Sequence, residues 1–172
     1  LLEAWKRTVA RFGGARLAIA GEGPLREELE RLARELGVEK TIAFLGFQEQ
    51  AADCLAAADA IVLPSLGMEC SPLVTLEAMA LGKPVAATSL PGLAEQIDHG
   101  VTGYLVKPGD AAALSRALVR LLIDRERRER MGAAARESWE RLYSPKAFDL
   151  YFDVLLETAF PPASARRKNS RQ

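Results

Sequence analysis

Short apolar segments alternate along this chain with longer segments of helical periodicity, and that alternation limits the fold more than any other feature. The apolar segments, each three to five residues long, are 17–20, 41–45, 60–63, 84–87 and 104–106. Helical patterns mark 1–12, 25–36, 48–58, 72–81, 111–123, 126–142 and 146–159. Strands that alternate with helices pair in parallel and are covered by helices on both faces. The sequence therefore predicts an α/β fold built on a parallel sheet.

The length and the charge balance restrict the domain organisation and the partners. A chain of 172 residues has the length of one domain, which we expect over 1–159. The segment 160–172 contains Pro-Pro, four basic residues and no acid, and we expect it to be a disordered basic tail. Lys plus Arg and Asp plus Glu both number 23, so no net charge attracts nucleic acid. No apolar run approaches the roughly 18 residues that a membrane span needs.

The cysteine and histidine content argues against a metal site and against a disulfide framework. Cys54 and Cys70 form no C-x-x-C pair, His99 is the single histidine, and the sequence contains no D-x-D. Unpaired cysteines fit a reducing compartment, so we expect a cytoplasmic protein.

The loops that follow the strands are the predicted ligand-binding segments. Ligands of open parallel sheets bind beyond the carboxyl ends of the strands. These ends are followed here by 21–24, 46–48, 64–71 and 88–92. The first of them, G-E-G-P, lacks the third glycine of a dinucleotide-binding turn, which disfavours a dehydrogenase.

The segment 64–77 combines a helix start with two carboxylates. Ser71 is a favoured N-cap and Pro72 a favoured first helical residue, so free backbone N–H groups are expected there, ready to bind an anion. Glu77 lies six residues after Ser71, about 9 Å along the axis, in a helix that is apolar nearly all round and predicted to be buried. Two interpretations remain open. Either Glu69 and Glu77 bind the hydroxyl groups of one ligand, or Glu77 pairs with an internal Arg or Lys and Glu69 is merely exposed.

The same segment resembles the signature of glycosyltransferase family 4, the group 1 glycosyltransferases. Glu69 and Glu77 form an E-x7-E motif within PSLGMECSPLVTLEAMALGKPVAATSLPGLAE, and AGEGPL, FLGF and GVTGYLVKPGD match at 20–25, 44–47 and 100–110. The resemblance covers about residues 1–158. It implies the GT-B architecture, in which two Rossmann-like domains enclose the active site. This chain is similar to the C-terminal, nucleotide-sugar-binding domain, without the strand that should precede the helix at 1–12.

The resemblance also implies roles for individual residues. Glu69, the candidate catalytic residue, would contact hydroxyls of the donor sugar and help stabilise the positive charge that develops on it. Glu77 would accept hydrogen bonds from the ribose hydroxyls. The other donor-binding positions would be Gly21 and Gly23 against the nucleotide, Phe47 and Gln48 beside the base, and Cys70, Ser71, Leu73 and Val74 against the sugar and diphosphate.

The resemblance further implies a reaction and a set of partners. Family members transfer a sugar from a nucleoside diphosphate sugar with retention of configuration and without a catalytic metal. We therefore expect a UDP- or GDP-linked donor, no cofactor, and an N-terminal acceptor-binding domain through which any membrane contact would be made. Cys70 and Ser71 stand where many relatives have Gly and an aromatic residue, and the G-R motif that neutralises the diphosphate is absent. Two alternatives stay open: a non-catalytic nucleotide-binding module, and one half of a two-chain transferase.

Overall fold

The described part of the chain, residues 1–160 of a computed structural model, contains five strands, eight α-helices and a short 3-10 helix at Glu39–Thr41. Strands and α-helices alternate as far as β5, and three α-helices follow it. The strands are β1 (Leu17–Ala20), β2 (Ile42–Gly46), β3 (Ile61–Leu63), β4 (Val85–Thr88) and β5 (Gly103–Val106). The helices are α1 (Leu2–Val9), α2 (Arg26–Glu35), α3 (Ala51–Ala57), α4 (Leu73–Ala80), α5 (Pro91–Gln96), α6 (Ala111–Ile123), α7 (Arg125–Leu142) and α8 (Pro145–Ala159). All the strand pairs are parallel, which confirms the predicted fold class.

The strands form two sheets that share one hydrophobic core. β1 pairs with β2, and β4 pairs with β3 on one side and β5 on the other. Leu17 and Phe44 of the first sheet belong to the same core as Val62, Ala86 and Tyr104 of the second. The two sheets therefore lie side by side, but no strand pairing joins β1 to β3 within the described residues.

Helices cover both faces of the three-stranded sheet. Ala86 points into the shared core, whereas its neighbours Val85 and Ala87 pack in a second core with Leu93 and Ile97 of the α5 region. Every residue of β4 is buried, as expected for a strand with helices above and below it.

The two-stranded sheet differs from the prediction, because one of its faces is open. Ala18, Ala20 and Ala43 are exposed, and Leu45 is 40% exposed. The exposure of these four residues shows that the described part of the chain leaves this face uncovered.

The element boundaries follow the sequence patterns to within three residues, as in α1, predicted over 1–12, and α3, predicted over 48–58, and one α-helix was not predicted. Asp110 is the N-cap of α6, since its carboxylate accepts a hydrogen bond from the Ala113 N–H at 2.8 Å. Helix α5 was not predicted, because six residues give too few turns for a period to be recognised. The predicted tail lies outside the described residues, except for Phe160.

The last helix carries a large amount of exposed apolar surface. The large apolar side chains of α8 that are at least 40% exposed are Phe148, Leu150, Tyr151, Phe152, Val154, Leu155 and Leu156. None of the helices in residues 1–160 combines the length and apolarity required to cross a bilayer.

Candidate functional site

The loops after β1 and β2 are tied together by backbone and side-chain hydrogen bonds. The Gly21 N–H donates to the Gly46 carbonyl at 2.7 Å. A carboxylate oxygen of Glu22 accepts from the Phe47 N–H at 3.4 Å. Gly21 has φ 124°, which a side chain would strain, and a Cβ at Gly23 would meet open space. At Gly21 and Gly23 the loop therefore exposes backbone atoms that no side chain covers.

Phe47 and Gln48 occupy different environments within this pair of loops. The ring of Phe47 is 70% exposed and offers a flat apolar surface. The Gln48 carboxamide nitrogen donates to the carbonyls of Leu45, at 2.8 Å, and Phe47, at 3.1 Å. Gln48 thus fixes the backbone that carries the exposed ring.

Glu69 lies in the loop after β3, where its carboxylate is held by a hydroxyl rather than by a cation. The Ser65 hydroxyl donates to Glu69 Oε1 at 2.5 Å. The backbone carbonyl of Ser65 in turn accepts from the Thr88 hydroxyl at 2.8 Å. Glu69 is half-buried and forms no salt bridge with the described residues. One carboxylate oxygen therefore remains available for a neutral hydroxyl-bearing ligand.

Helix α4 begins differently from the prediction. It starts at Leu73, Pro72 is extended with ψ 123°, and no side chain caps it. The prediction that Ser71 is the N-cap is wrong, because the Ser71 oxygen accepts a hydrogen bond from Gln96 Nε2 at 2.9 Å instead. The N–H groups of Leu73 and Val74 donate no hydrogen bond within residues 1–160, so they remain free at the positive end of the helix dipole.

Glu77 is exposed, and the prediction that it is buried is wrong. Leu73, one turn earlier on the same face of α4, is 71% exposed, and Leu81, one turn later, is 41% exposed. This face is apolar in composition but open to solvent, because no described element packs on it. Since the helix starts at Leu73, Glu77 lies about 6 Å along the axis from the helix start. No ion pair of Glu77 with an internal Arg or Lys exists among the described residues.

The predicted site residues fall into two groups. The first group contains the loop after β1, residues 21–24, and the segment between β2 and α3. The second group contains the loop after β3, residues 64–71, and helix α4. Within residues 1–160 no hydrogen bond joins the two groups, and the interruption between β1 and β3 separates them. No group of three His, Cys, Asp or Glu side chains in that range is arranged to hold a metal ion.

Two cavities lie away from these groups. One of about 480 Å³ lies between α5 and α7 and includes Glu95, Asp98, Glu137 and Arg141 in its wall. The other, of about 310 Å³, lies between α1 and α6 beside Arg7, Arg11 and Arg116. None of the predicted site residues lines either of these two cavities.

Sequence reasoning placed Gly92 in the candidate ligand-binding segment 88–92, but it missed Gln96 and the contact of both residues with the Glu69 loop. The Gly92 N–H donates to the Glu69 carbonyl at 3.0 Å, and Gln96 reaches Ser71 as described above. The available signals were Pro91, a favoured residue at the start of a helix, and the spacing of Leu93, Gln96 and Ile97.

Comparison with known proteins identifies a family and a fold. Residues 1–138 match the sequence profile of the family described as glycosyl transferases group 1. The chain is 39% identical over 146 residues to N-acetyl-alpha-D-glucosaminyl L-malate synthase from Bacillus anthracis, covering 82% of this chain and 38% of that protein. It is 39% identical over 137 residues to a GDP-mannose-dependent alpha-(1-6)-phosphatidylinositol monomannoside mannosyltransferase from Mycobacterium tuberculosis, covering 74% of this chain and 35% of that protein.

Solved structures share the same fold. The crystal structure of Anabaena HepE in complex with UDP superposes with a TM-score of 0.83 at 24% identity, over 92% of this chain and 44% of that one. The chain spans less than half of the length of each of these three proteins.

Proposed function

Because the chain belongs to the group 1 glycosyltransferases, we propose that it forms the donor-binding half of a retaining, metal-independent GT-B enzyme. The donor is a UDP- or GDP-linked sugar. The bond between the anomeric carbon and the diphosphate oxygen breaks, the anomeric carbon bonds to an acceptor atom, and the acceptor loses a proton. The observation that carries this proposal is a carboxylate, Glu69, which is oriented by Ser65 in the loop that leads into the free N–H groups at the start of α4.

The start of α4 is the proposed site for the diphosphate. The N–H groups of Leu73 and Val74 have no acceptor among the described residues, and the helix dipole favours an anion there. Diphosphate is also the leaving group, so stabilising its growing charge lowers the barrier to transfer.

Glu69 is the proposed catalytic residue. As the bond to the diphosphate breaks, positive charge develops on the sugar, and a nearby carboxylate stabilises that charge more in the transition state than in the bound donor. The hydrogen bond from Ser65 fixes one carboxylate oxygen, so the other faces the ligand without a large entropic cost.

The nucleoside is proposed to bind across both groups of residues. The exposed Glu77 carboxylate accepts hydrogen bonds from the ribose hydroxyls, and the base stacks on the Phe47 ring next to the bare backbone of Gly21 and Gly23. HepE was crystallised with UDP and the mycobacterial relative is named as GDP-mannose-dependent, which supports a nucleotide-linked donor for this chain.

The lack of pairing between β1 and β3 in the described residues supports the proposal that another segment of the same enzyme contributes a strand to the sheet. A parallel strand that precedes α1 and connects to it in the usual right-handed sense would pair with β1 and enter the space between β1 and β3. Such a strand would join the two sheets into one, with both groups of site residues along the edge formed by the carboxyl ends of the strands. The acceptor is proposed to bind to an N-terminal domain beyond that strand.

The test uses the full-length protein with a panel of UDP- and GDP-sugars. We expect binding in titration calorimetry and release of UDP or GDP, slowly with water as the acceptor, and unchanged by EDTA. Glu69→Gln should reduce the release rate about 100-fold and change the donor Kd far less, because the lost charge acts mainly in the transition state. Glu137→Gln, at an exposed position of α7 outside both groups of site residues, is the matched control.

Three results would each correct a different part of the proposal. Donor binding without any release by the wild type would identify a binding module instead of an enzyme. Loss of release in EDTA would contradict metal independence. Absence of binding to every donor in the panel would refute the proposed function.

A further inference from the structure

Gly92 of α5 lies in direct backbone contact with the Glu69 loop. Its N–H donates to the Glu69 carbonyl at 3.0 Å. A Cβ added at Gly92 would lie 2.2 Å from the Cys70 oxygen and 2.5 Å from the Glu69 oxygen, both of which are backbone atoms. Gly92 has no positive φ, so glycine is required here by the approach of two backbones rather than by a turn.

Gln96, one helical turn later, contacts the same loop with its side chain. Gln96 is 5% exposed, and its Nε2 donates to the Ser71 hydroxyl oxygen at 2.9 Å. The Gln96 Oε1 atom is buried without a hydrogen-bond partner. A buried amide that satisfies only one of its ends is less favourable than an apolar side chain in the same place. A buried polar side chain that lacks part of its hydrogen bonding is expected where the side chain supports a functional site rather than the packing of the core.

The strand before α5 provides a third attachment. The Thr88 hydroxyl at the end of β4 donates to the Ser65 carbonyl, and the Ser65 hydroxyl donates to the Glu69 carboxylate. The segment 88–96 therefore holds the loop at its beginning, at Glu69 and at Ser71. Through these contacts it orients both the carboxylate and the backbone that leads into α4.

We propose that Gly92 and Gln96 are positioning residues that hold Glu69 and the start of α4 in the geometry that binds the donor. The inference rests on the proposed function, because the proposed function assigns the donor as the ligand that the Glu69 loop binds. Neither residue touches the donor. Gly92 acts through the backbone of Glu69 and Cys70, and Gln96 acts through the Ser71 hydroxyl.

The first experiment is a double-mutant cycle between Gln96 and Ser71 in the full-length protein. Gln96→Met keeps the side-chain volume and removes the hydrogen bond, so kcat/KM for the donor should fall about 5-fold. Ser71→Ala should cause a similar loss. The double variant should lose no more than the worse single variant, because both changes break the same contact. Lys6→Met, at an exposed position of α1 outside both groups of site residues, should leave kcat/KM unchanged. Additive losses in the cycle would overturn the role of Gln96.

The second experiment changes Gly92. Gly92→Ala should displace the loop by about 1 Å and reduce kcat/KM about 100-fold. Gly13→Ala, whose Cβ would have its nearest neighbour 3.9 Å away, is the control. Full activity in Gly92→Ala would overturn the inference.

A third measurement separates this inference from the proposed function. Amide hydrogen exchange of residues 65–74 reports the order of the loop whether or not a donor binds. Faster exchange there in Gln96→Met and Gly92→Ala, with the protection of β4 retained, would support positioning even if no nucleotide sugar bound to the wild type. Unchanged exchange in both variants would refute positioning, whatever the donor measurements gave.

Discussion

The substitution Glu77→Gln tests whether the Glu77 carboxylate binds the nucleotide or stabilises the fold. The substitution removes the charge of Glu77, preserves the shape of the side chain and keeps one acceptor oxygen. Hydrogen bonds to a charged acceptor contribute about 1.5–3 kcal/mol each, so loss of the charge-assisted contact to the ribose should weaken nucleotide binding about 10- to 100-fold. The effect on folding should be small, because Glu77 is exposed and has no ion pair among the described residues. We expect a change within about 0.5 kcal/mol in the free energy of unfolding, or about 1–2 °C in Tm.

The assay compares calorimetric Kd values for UDP and GDP with thermal unfolding of the same full-length samples. Glu137→Gln, another exposed glutamate on a helix, is the control and should change neither quantity. An unchanged Kd for Glu77→Gln would remove this residue from the nucleotide site. A large fall in Tm would mean that the carboxylate supports the fold, contrary to its exposure.

Two further predictions concern the base and the packing of α4 on α7. Phe47→Ala should weaken the binding of UDP or GDP by about 1–3 kcal/mol, the usual loss when a base–aromatic stack is removed. The Tm should change little, because Phe47 is 70% exposed. Retention of affinity in calorimetry would exclude stacking. Gly132→Ala should lower the free energy of unfolding by about 2 kcal/mol in urea denaturation, because the added Cβ would lie 2.1 Å from the Gly82 carbonyl oxygen; an unchanged denaturation midpoint would show that α7 moves away freely.

The order of the elements was predictable because buried strands and amphipathic helices carry their periods in local sequence. The cap at Ser71 was not, because Ser71 has a competing partner, Gln96, that is 25 residues away and visible only in three dimensions. Glu77 was misjudged for a different reason. An apolar pattern around a helix indicates that its surface is suited to burial, but it does not say whether the same domain supplies the cover.

The short helix α5 also shows that contacts between distant segments cannot be read from local sequence. Its six residues give a weak pattern, yet one of them, Gly92, donates a hydrogen bond to the Glu69 carbonyl. Residues that act through backbone contact, as Gly92 does, leave no chemical signature in the sequence beyond the glycine itself.

The interrupted pairing between β1 and β3 has a consequence for handling this segment in isolation. Each of these strands has an edge whose N–H and C=O groups lack a neighbouring strand within residues 1–160. Bare edges of this kind are templates for extended segments of other molecules. A sample of the isolated segment is therefore expected to self-associate by pairing these edges between chains. A short apolar peptide that pairs with the same edges should suppress that association.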